Sequence, residues 1–202
     1  MQPILFILPL IAYLSGSIPF GWLTVKRLSS EDIRKTGSGN IGATNVLRTS
    51  GRLPAAITLA ADVLKGVFPV WYAVWTSSSS LNWSPLLITL TALAAFCGHL
   101  FPVYTGFKGG GKGVATAAGC YLVISPLACL FALSAFVLLV YLTRRVSPGS
   151  LAAALVLPIG VWITTGAGLI LAGASVTSLL IILRHRSNIM RLYDGREPII
   201  GQ

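Results

Sequence analysis

The sequence predicts an all-α, polytopic integral membrane protein of seven transmembrane helices, some short or broken, with glycine-rich loops on the cytoplasmic side. Two observations predict it. First, 54% of the 202 residues are hydrophobic and only 10% are charged, with a mean hydropathy of +0.80, whereas soluble domains carry about 25% charged residues. Second, the lysines and arginines fall in short runs between long apolar segments. A spanning helix needs about 20 apolar residues, fewer where it is broken or covered by protein. The chain is read as one transmembrane domain over residues 1–202.

Taken in order, the first segment is 3–25. No basic stretch precedes it, so it reads as a first span with its N-terminus outside rather than as a cleaved signal peptide. Spans two and three follow at 54–76 and 84–103. The fourth, 114–125, is short and is separated from the fifth, 126–142, by Ser125-Pro126. The sixth, 150–165, and seventh, 168–184, are divided by Gly166-Ala167-Gly168. Proline and glycine punctuate chains at such points. The three cysteines, Cys97, Cys120 and Cys129, lie in apolar stretches and read as small buried hydrophobes.

Orientation follows from basic residues. With seven spans, every lysine and arginine except Lys65 falls on the cytoplasmic side. If 114–142 and 150–184 were single long helices, five spans would result and Arg144-Arg145 would face outward. Both arrangements put residues 26–53, 104–113 and the C-terminal tail on one face, where three distant polar segments can meet. A net charge of +10 suits an anionic lipid or substrate. Nucleic acid is not the expected partner, because the basic residues sit in short runs between apolar segments.

The first loop contains TGSGNIGATN, residues 36–45. Gly37, Gly39 and Gly42 have the spacing of a dinucleotide fingerprint, but that motif needs a strand before it and a helix after it. The preceding SSEDIRK is no buried strand, and Asp62, at the fingerprint's acidic spacing, sits inside span two. What survives is an anion site: glycine backbone can approach and point N–H groups at a phosphate. Ser38, Asn40, Thr44 and Asn45 add neutral hydrogen-bonding groups, and Arg34, Lys35 and Arg48 add charge. Asp62 and Lys65 share a helical face. A structural ion pair and a substrate contact both fit; Lys65 is carried as a substrate contact and Asp62 as its structural partner.

The second loop is GHLFPVYTGFKGGGKGVAT, residues 98–116. From Gly106 it matches the glycine–lysine spacing of a Walker A loop, yet Gly113 stands where a magnesium-binding Ser or Thr is needed. ATP-driven chemistry is therefore unsupported. Lys108, Gly109, Gly110, Gly111, Lys112 and Gly113 still surround the entry to a helix beginning near Val114, and a helix N-terminus favours phosphate. A glycine hinge is the competing reading. His99 reads as a hydrogen-bonded packing residue. The tail, RHRSNIMRLYDGRE, is basic as expected beside anionic lipid, and Ile189, Met190 and Leu192 suggest that it packs down.

Together these segments resemble a bacterial family, the acyl-phosphate:glycerol-3-phosphate acyltransferases (PlsY). The resemblance rests on SGSIPFG, DIRKTGSGNIGATNVLR, DVLKG, GHLFPV, FKGGGKGVAT and RHRSNIMRLYDGRE, in the family's order. One departure is an extra glycine within Gly109–Gly111, since the family's motif reads FKGGKGVAT. The resemblance implies Ser38 and Arg48 as active-site residues, Lys108 to Gly113 as the phosphate loop, His185 and Asn188 as catalytic-site residues, and Glu197 as a structural residue. It implies residence in the bacterial inner membrane with the site facing the cytoplasm. Acyl phosphate and glycerol 3-phosphate are the implied substrates, and no cofactor or metal is needed. The reading from another class is a transporter of small organophosphates, which would also use broken helices and glycine-rich helix starts. Charges near the midplane would favour the transporter; here they cluster at one face.

Overall fold

The computed structural model describes residues 4–28, 32–77, 84–166 and 168–200. Pro3, Ser29, Ser30, Glu31 and Ala167, which entered the reading above, lie outside them. Every regular element among the described residues is helical. The chain forms two compact units, Met1–Ile124 and Ser125–Gln202.

Unit one contains α1 (Ile4–Gly16), α2 (Phe20–Leu28), α3 (Ala43–Ser50), α4 (Arg52–Ser77), α5 (Ser84–Leu100), a single 3₁₀ turn at Val103–Thr105, and α6 (Val114–Ile124). The first span is broken between α1 and α2. Pro19 has no N–H to donate and its ring clashes with the preceding turn, so the helix stops before it. The helices then approach closely on glycine. A Cβ on Gly16 would fall 2.1 Å from the Ala95 carbonyl oxygen, and one on Gly66 would fall 2.3 Å from that of Thr116. Small residues at such crossings let backbones pack without a water-driven force between helices.

Helix α3 was not expected; the stretch read as loop. Its signal is faint because the helix is short and polar. It buries Asn45 and Val46, and Val46 joins Val25, Ile33, Ile41 and Ala55 in a small core, with Trp22 packed against it. That core fixes the glycine loop onto α2 and α4.

Unit two contains α7 (Pro126–Thr143), α8 (Val146–Thr165), α9 (Leu169–Arg184) and α10 (Arg186–Tyr193). Ser125 caps α7 by accepting the Ala128 N–H, and Pro126 sits in the first turn, where its missing donor costs nothing. Helix α8 begins at Val146, a turn before the expected start. α9 and α10 meet at His185 with a bend of 54°.

Each of the seven expected segments contains a helix, but the first, expected as one span over 3–25, is interrupted at 17–19, and α5 ends at Leu100, short of 103. Among the described residues, five helices are long and apolar enough to cross a membrane, or six if the bent pair is one span. At 1.5 Å per residue, the 11 residues of α6 reach only about 16 Å, roughly half of a bilayer core. Lipid-compatible surfaces accompany the spans: Leu142, Leu155 and Ile163 are exposed by 60% or more. The tail differs from expectation. Ile189 and Met190 are exposed, and what holds the tail down is polar.

Candidate active site

The first glycine loop is built around Asn45. This side chain is 3% exposed and lies beneath the loop. Its Oδ1 accepts the Ser38 N–H at 2.9 Å, and its Nδ2 donates to the carbonyls of Asn40 at 2.9 Å, Thr36 at 3.2 Å and Ile33 at 3.4 Å. Asn45 was expected to bind phosphate; its carboxamide is instead spent on shaping the loop. Gly37 and Gly39 are left-handed, with φ of 59° and 67°, and a Cβ on Gly37 would fall 2.3 Å from Asn45 Oδ1. Asn40 Oδ1 accepts the Gly42 N–H at 2.8 Å, closing the turn into α3. The outcome is an exposed Ser38 side chain on a rigid loop, and an exposed Arg48 in the last turn of α3.

Arg34 adds no net charge to this site. It forms a forked pair with Asp32, Nε to Oδ1 at 2.9 Å and Nη2 to Oδ2 at 2.7 Å. The same guanidinium stacks 5.0 Å from the Trp22 ring, with Lys26 Nζ at 4.8 Å. Hydrogen bonding from Arg34 holds the Asp32 carboxyl down to about 2.

The second loop doubles back over the end of α5. Gly111 donates its N–H to the His99 carbonyl at 3.1 Å. A Cβ on Gly110 would fall 1.9 Å from the Leu100 carbonyl oxygen, and one on Gly111 would fall 1.9 Å from His99 Nε2. These two glycines are therefore neither a hinge nor, for Gly111, a phosphate donor: the backbone is pressed onto α5. Gly109 has open space around it and a φ of 69°. Lys108 is exposed and Lys112 half-buried. Gly113, with φ 82°, accepts the Ala117 N–H as the first α6 bond. The N–H groups of Val114, Ala115 and Thr116 thus open toward the loop, as the first turn of a helix leaves them. Lys65, expected as a substrate contact, is buried at 5% exposure and its ammonium is paired with Asp62 at 2.8 Å, the structural partner expected for it.

In unit two, His185 is buried at the α9–α10 bend. Its Nδ1 lies 2.8 Å from the Ile181 carbonyl oxygen. A carbonyl only accepts, so Nδ1 carries a proton. Asn188 donates to Glu197 Oε1 at 2.6 Å, Ser147 donates to the same oxygen, and Arg191 donates to Oε2 at 2.8 Å. Arg145 takes the Glu197 carbonyl at 2.9 Å. The sequence reading missed Ser147 and Arg145. Both lie some fifty positions from Glu197, and nothing local marks them.

Burial raises the Glu197 pKa, but the donors from Ser147, Asn188 and Arg191 outweigh it and hold the group below its ordinary 4.5. A depressed folded value means that its stabilisation is present above pH 4.5 and is lost as pH falls through the lower folded value. The gap in melting temperature between the parent and Glu197→Gln is expected to be largest at neutral pH and to shrink below pH 4.5. A gap unchanged down to pH 3 would show that the charge does not matter to the tail.

The family profile described as glycerol-3-phosphate acyltransferase matches residues 6–195. The chain belongs to that family. It is 46% identical over 192 residues to the glycerol-3-phosphate acyltransferase of Syntrophotalea carbinolica, covering 95% of both chains. The corresponding protein of Geobacter sulfurreducens is 46% identical over 191 residues, again with 95% of each covered. Among solved structures, the chain is similar to PlsY (YgiH), an integral membrane glycerol 3-phosphate acyltransferase, in its glycerol 3-phosphate form. The TM-score is 0.90 at 39% identity, covering 98% of this chain and 96% of that one. The lysophosphatidic acid form gives 0.87 at 38% identity, covering 98% and 95%.

Proposed function

We propose that this membrane protein transfers an acyl chain from acyl phosphate to the 1-hydroxyl of glycerol 3-phosphate, releasing phosphate and 1-acylglycerol 3-phosphate. This is the entry step of phospholipid synthesis. The observation that carries the reading is the second loop: two lysines flank a backbone clamped against α5, which delivers the open N–H groups of α6. That arrangement suits a phosphate dianion. The substrate and product forms of the related PlsY support glycerol 3-phosphate and lysophosphatidic acid as the two ends of the reaction. Membership of the acyltransferase family does not favour the transporter reading.

In the proposed reaction the hydroxyl oxygen attacks the acyl carbonyl carbon and the carbon–oxygen bond to phosphate breaks, with phosphate leaving on its electron pair. The donor is already activated, so the protein's task is to position two anions, screen their repulsion and stabilise developing charge. Lys108, Lys112, Gly109, Gly110 and Gly113 are assigned to phosphate binding, with Gly111 contributing through its contact to α5. Ser38, with Gly37, Gly39 and Asn40 shaping its loop, is assigned to the donor's oxygens, and Arg48 to phosphate. Two groups are assigned as candidates for the hydroxyl proton: the phosphate of glycerol 3-phosphate, whose second pKa is about 6, and His185. Asn188 and Glu197 hold the His185 segment.

The test uses purified protein with palmitoyl phosphate and glycerol 3-phosphate, measuring phosphate release and lipid product together. Equimolar formation of both is expected, with no turnover when palmitoyl-CoA replaces the acyl phosphate. In oriented bacterial membrane vesicles, glycerol 3-phosphate added outside should be used only when the cytoplasmic face is outward. Robust turnover with the CoA ester alone would overturn the donor assignment, and use in right-side-out vesicles would overturn the orientation.

A further inference from the structure

Unit one contains a buried charged cluster that the proposed chemistry does not use. Asp62 and Lys65, one turn apart on α4, are paired at 2.8 Å with both side chains only 3% exposed. Lys65 Nζ also donates to the Ile18 carbonyl at 3.0 Å, at the α1–α2 break, and lies 5.7 Å from the Phe20 ring. From α5, His99 Nδ1 faces the same Asp62 oxygen at 3.5 Å, with its side chain 4% exposed. The opposite edge of that imidazole is the one against which Gly111 is pressed, and the His99 carbonyl holds the Gly111 N–H.

Charges at this depth are an expensive way to pack helices. Apolar groups of similar volume would often do as well or better for stability. Their arrangement, however, forms a chain from the α1–α2 break through Lys65 and Asp62 to His99 and the glycine loop. We propose that Asp62, Lys65 and His99 are positioning residues for the phosphate loop. Asp62, anchored by Lys65, sets the orientation of the His99 ring, and the ring sets the height of the Gly111 backbone and hence of the α6 N-terminus.

The same steric fact explains why glycine stands at 111. Any side chain would meet the ring, so the loop can rest on the imidazole only as bare backbone. This inference rests on the reading of the loop as the glycerol 3-phosphate site. It goes beyond that reading by assigning a role to residues outside the phosphate loop itself.

Asp62→Asn should raise the KM for glycerol 3-phosphate tenfold or more while leaving kcat and the KM for acyl phosphate within a few-fold. A displacement on the order of 1 Å in a positioning element costs on the order of 10²-fold. Should Asp62→Asn fail to insert, the paired Asp62→Asn/Lys65→Met removes both charges and should give the same rise. A double-mutant cycle supplies the second readout. His99→Ala and Gly111→Ala should each impair kcat/KM for glycerol 3-phosphate. The double variant should be no worse than the worse single one, because the added Cβ no longer meets a ring. Glycerol 3-phosphate affinity, measured in parallel by titration calorimetry, reads the loop independently of turnover. Absent turnover in the parent would remove the acyl-transfer reading while calorimetry still tests the loop. An unmoved affinity in the Asp62 variants, or losses in the cycle that simply multiply, would overturn the positioning role.

Discussion

Ser38→Ala and Arg48→Lys are expected to insert and fold as the parent does and each to lose on the order of 10²–10³ in turnover, the usual cost of removing one preorganised donor. The expectation of normal folding comes from exposure: both side chains project from the polar hairpin formed by the first loop and α3. Ser38 has its backbone N–H fixed by Asn45, which leaves its hydroxyl to be directed outward. Arg48 matters for shape as well as charge. A guanidinium can grip phosphate with two parallel N–H bonds, whereas an ammonium presents a single point charge. Arg48→Lys is therefore the sharper variant, because it keeps the charge and removes the fork. No acyl-enzyme is expected when labelled acyl phosphate is supplied alone. Near-parental rates in both variants would remove these residues from the site, and a trapped acyl-Ser38 would replace direct transfer by a two-step route.

Asn45→Asp should be as damaging as a loss of the catalytic groups themselves, at 10²-fold or more, although Asn45 itself faces away from the exposed side of the loop. The change is isosteric. It preserves the acceptor for Ser38 N–H but turns a donor that serves three backbone carbonyls into a second carboxylate oxygen facing them. Leaving a buried carbonyl without its donor costs about 1–3 kcal/mol, and the carboxylate adds repulsion. The loop would refold locally while the membrane helices stay intact. The informative combination is a melting temperature lowered by only a few degrees with activity lost. Activity within a few-fold of the parent would mean that the loop's shape is held elsewhere.

Much of the fold was legible because the bilayer imposes its own grammar. Backbone groups in hydrocarbon must be satisfied within helices, so apolar length by itself locates α4, α5, α7, α8 and α9. Ser125-Pro126 and the glycines at 166 and 168 mark where helices stop, through missing donors and permissive backbone, whereas the break before Pro19 went unread inside an apolar run. The loops stood out by their composition of glycine, lysine and arginine, on which the proposed anion sites rest. Helix α3 did not, since eight residues that are polar on average are too few to stand out from a loop. The polar anchoring of the tail was also hidden: an eye trained on apolar residues reads Ile189 and Met190 as the anchor, when Glu197 is.

The sequence by itself determined that this chain spans a membrane, where two of its helix boundaries fall and which loops gather basic charge. Only the tertiary structure decided how each polar group is spent. Arg34 is neutralised by Asp32, Asn45 is consumed by the loop it was expected to line, Gly111 gives its N–H to His99, and Glu197 finds Ser147. The physical reason is that hydropathy and chain punctuation act along the sequence, residue by residue. A hydrogen bond or a close backbone approach requires angstrom-scale placement of atoms from different helices, and that placement exists only once the helices have packed.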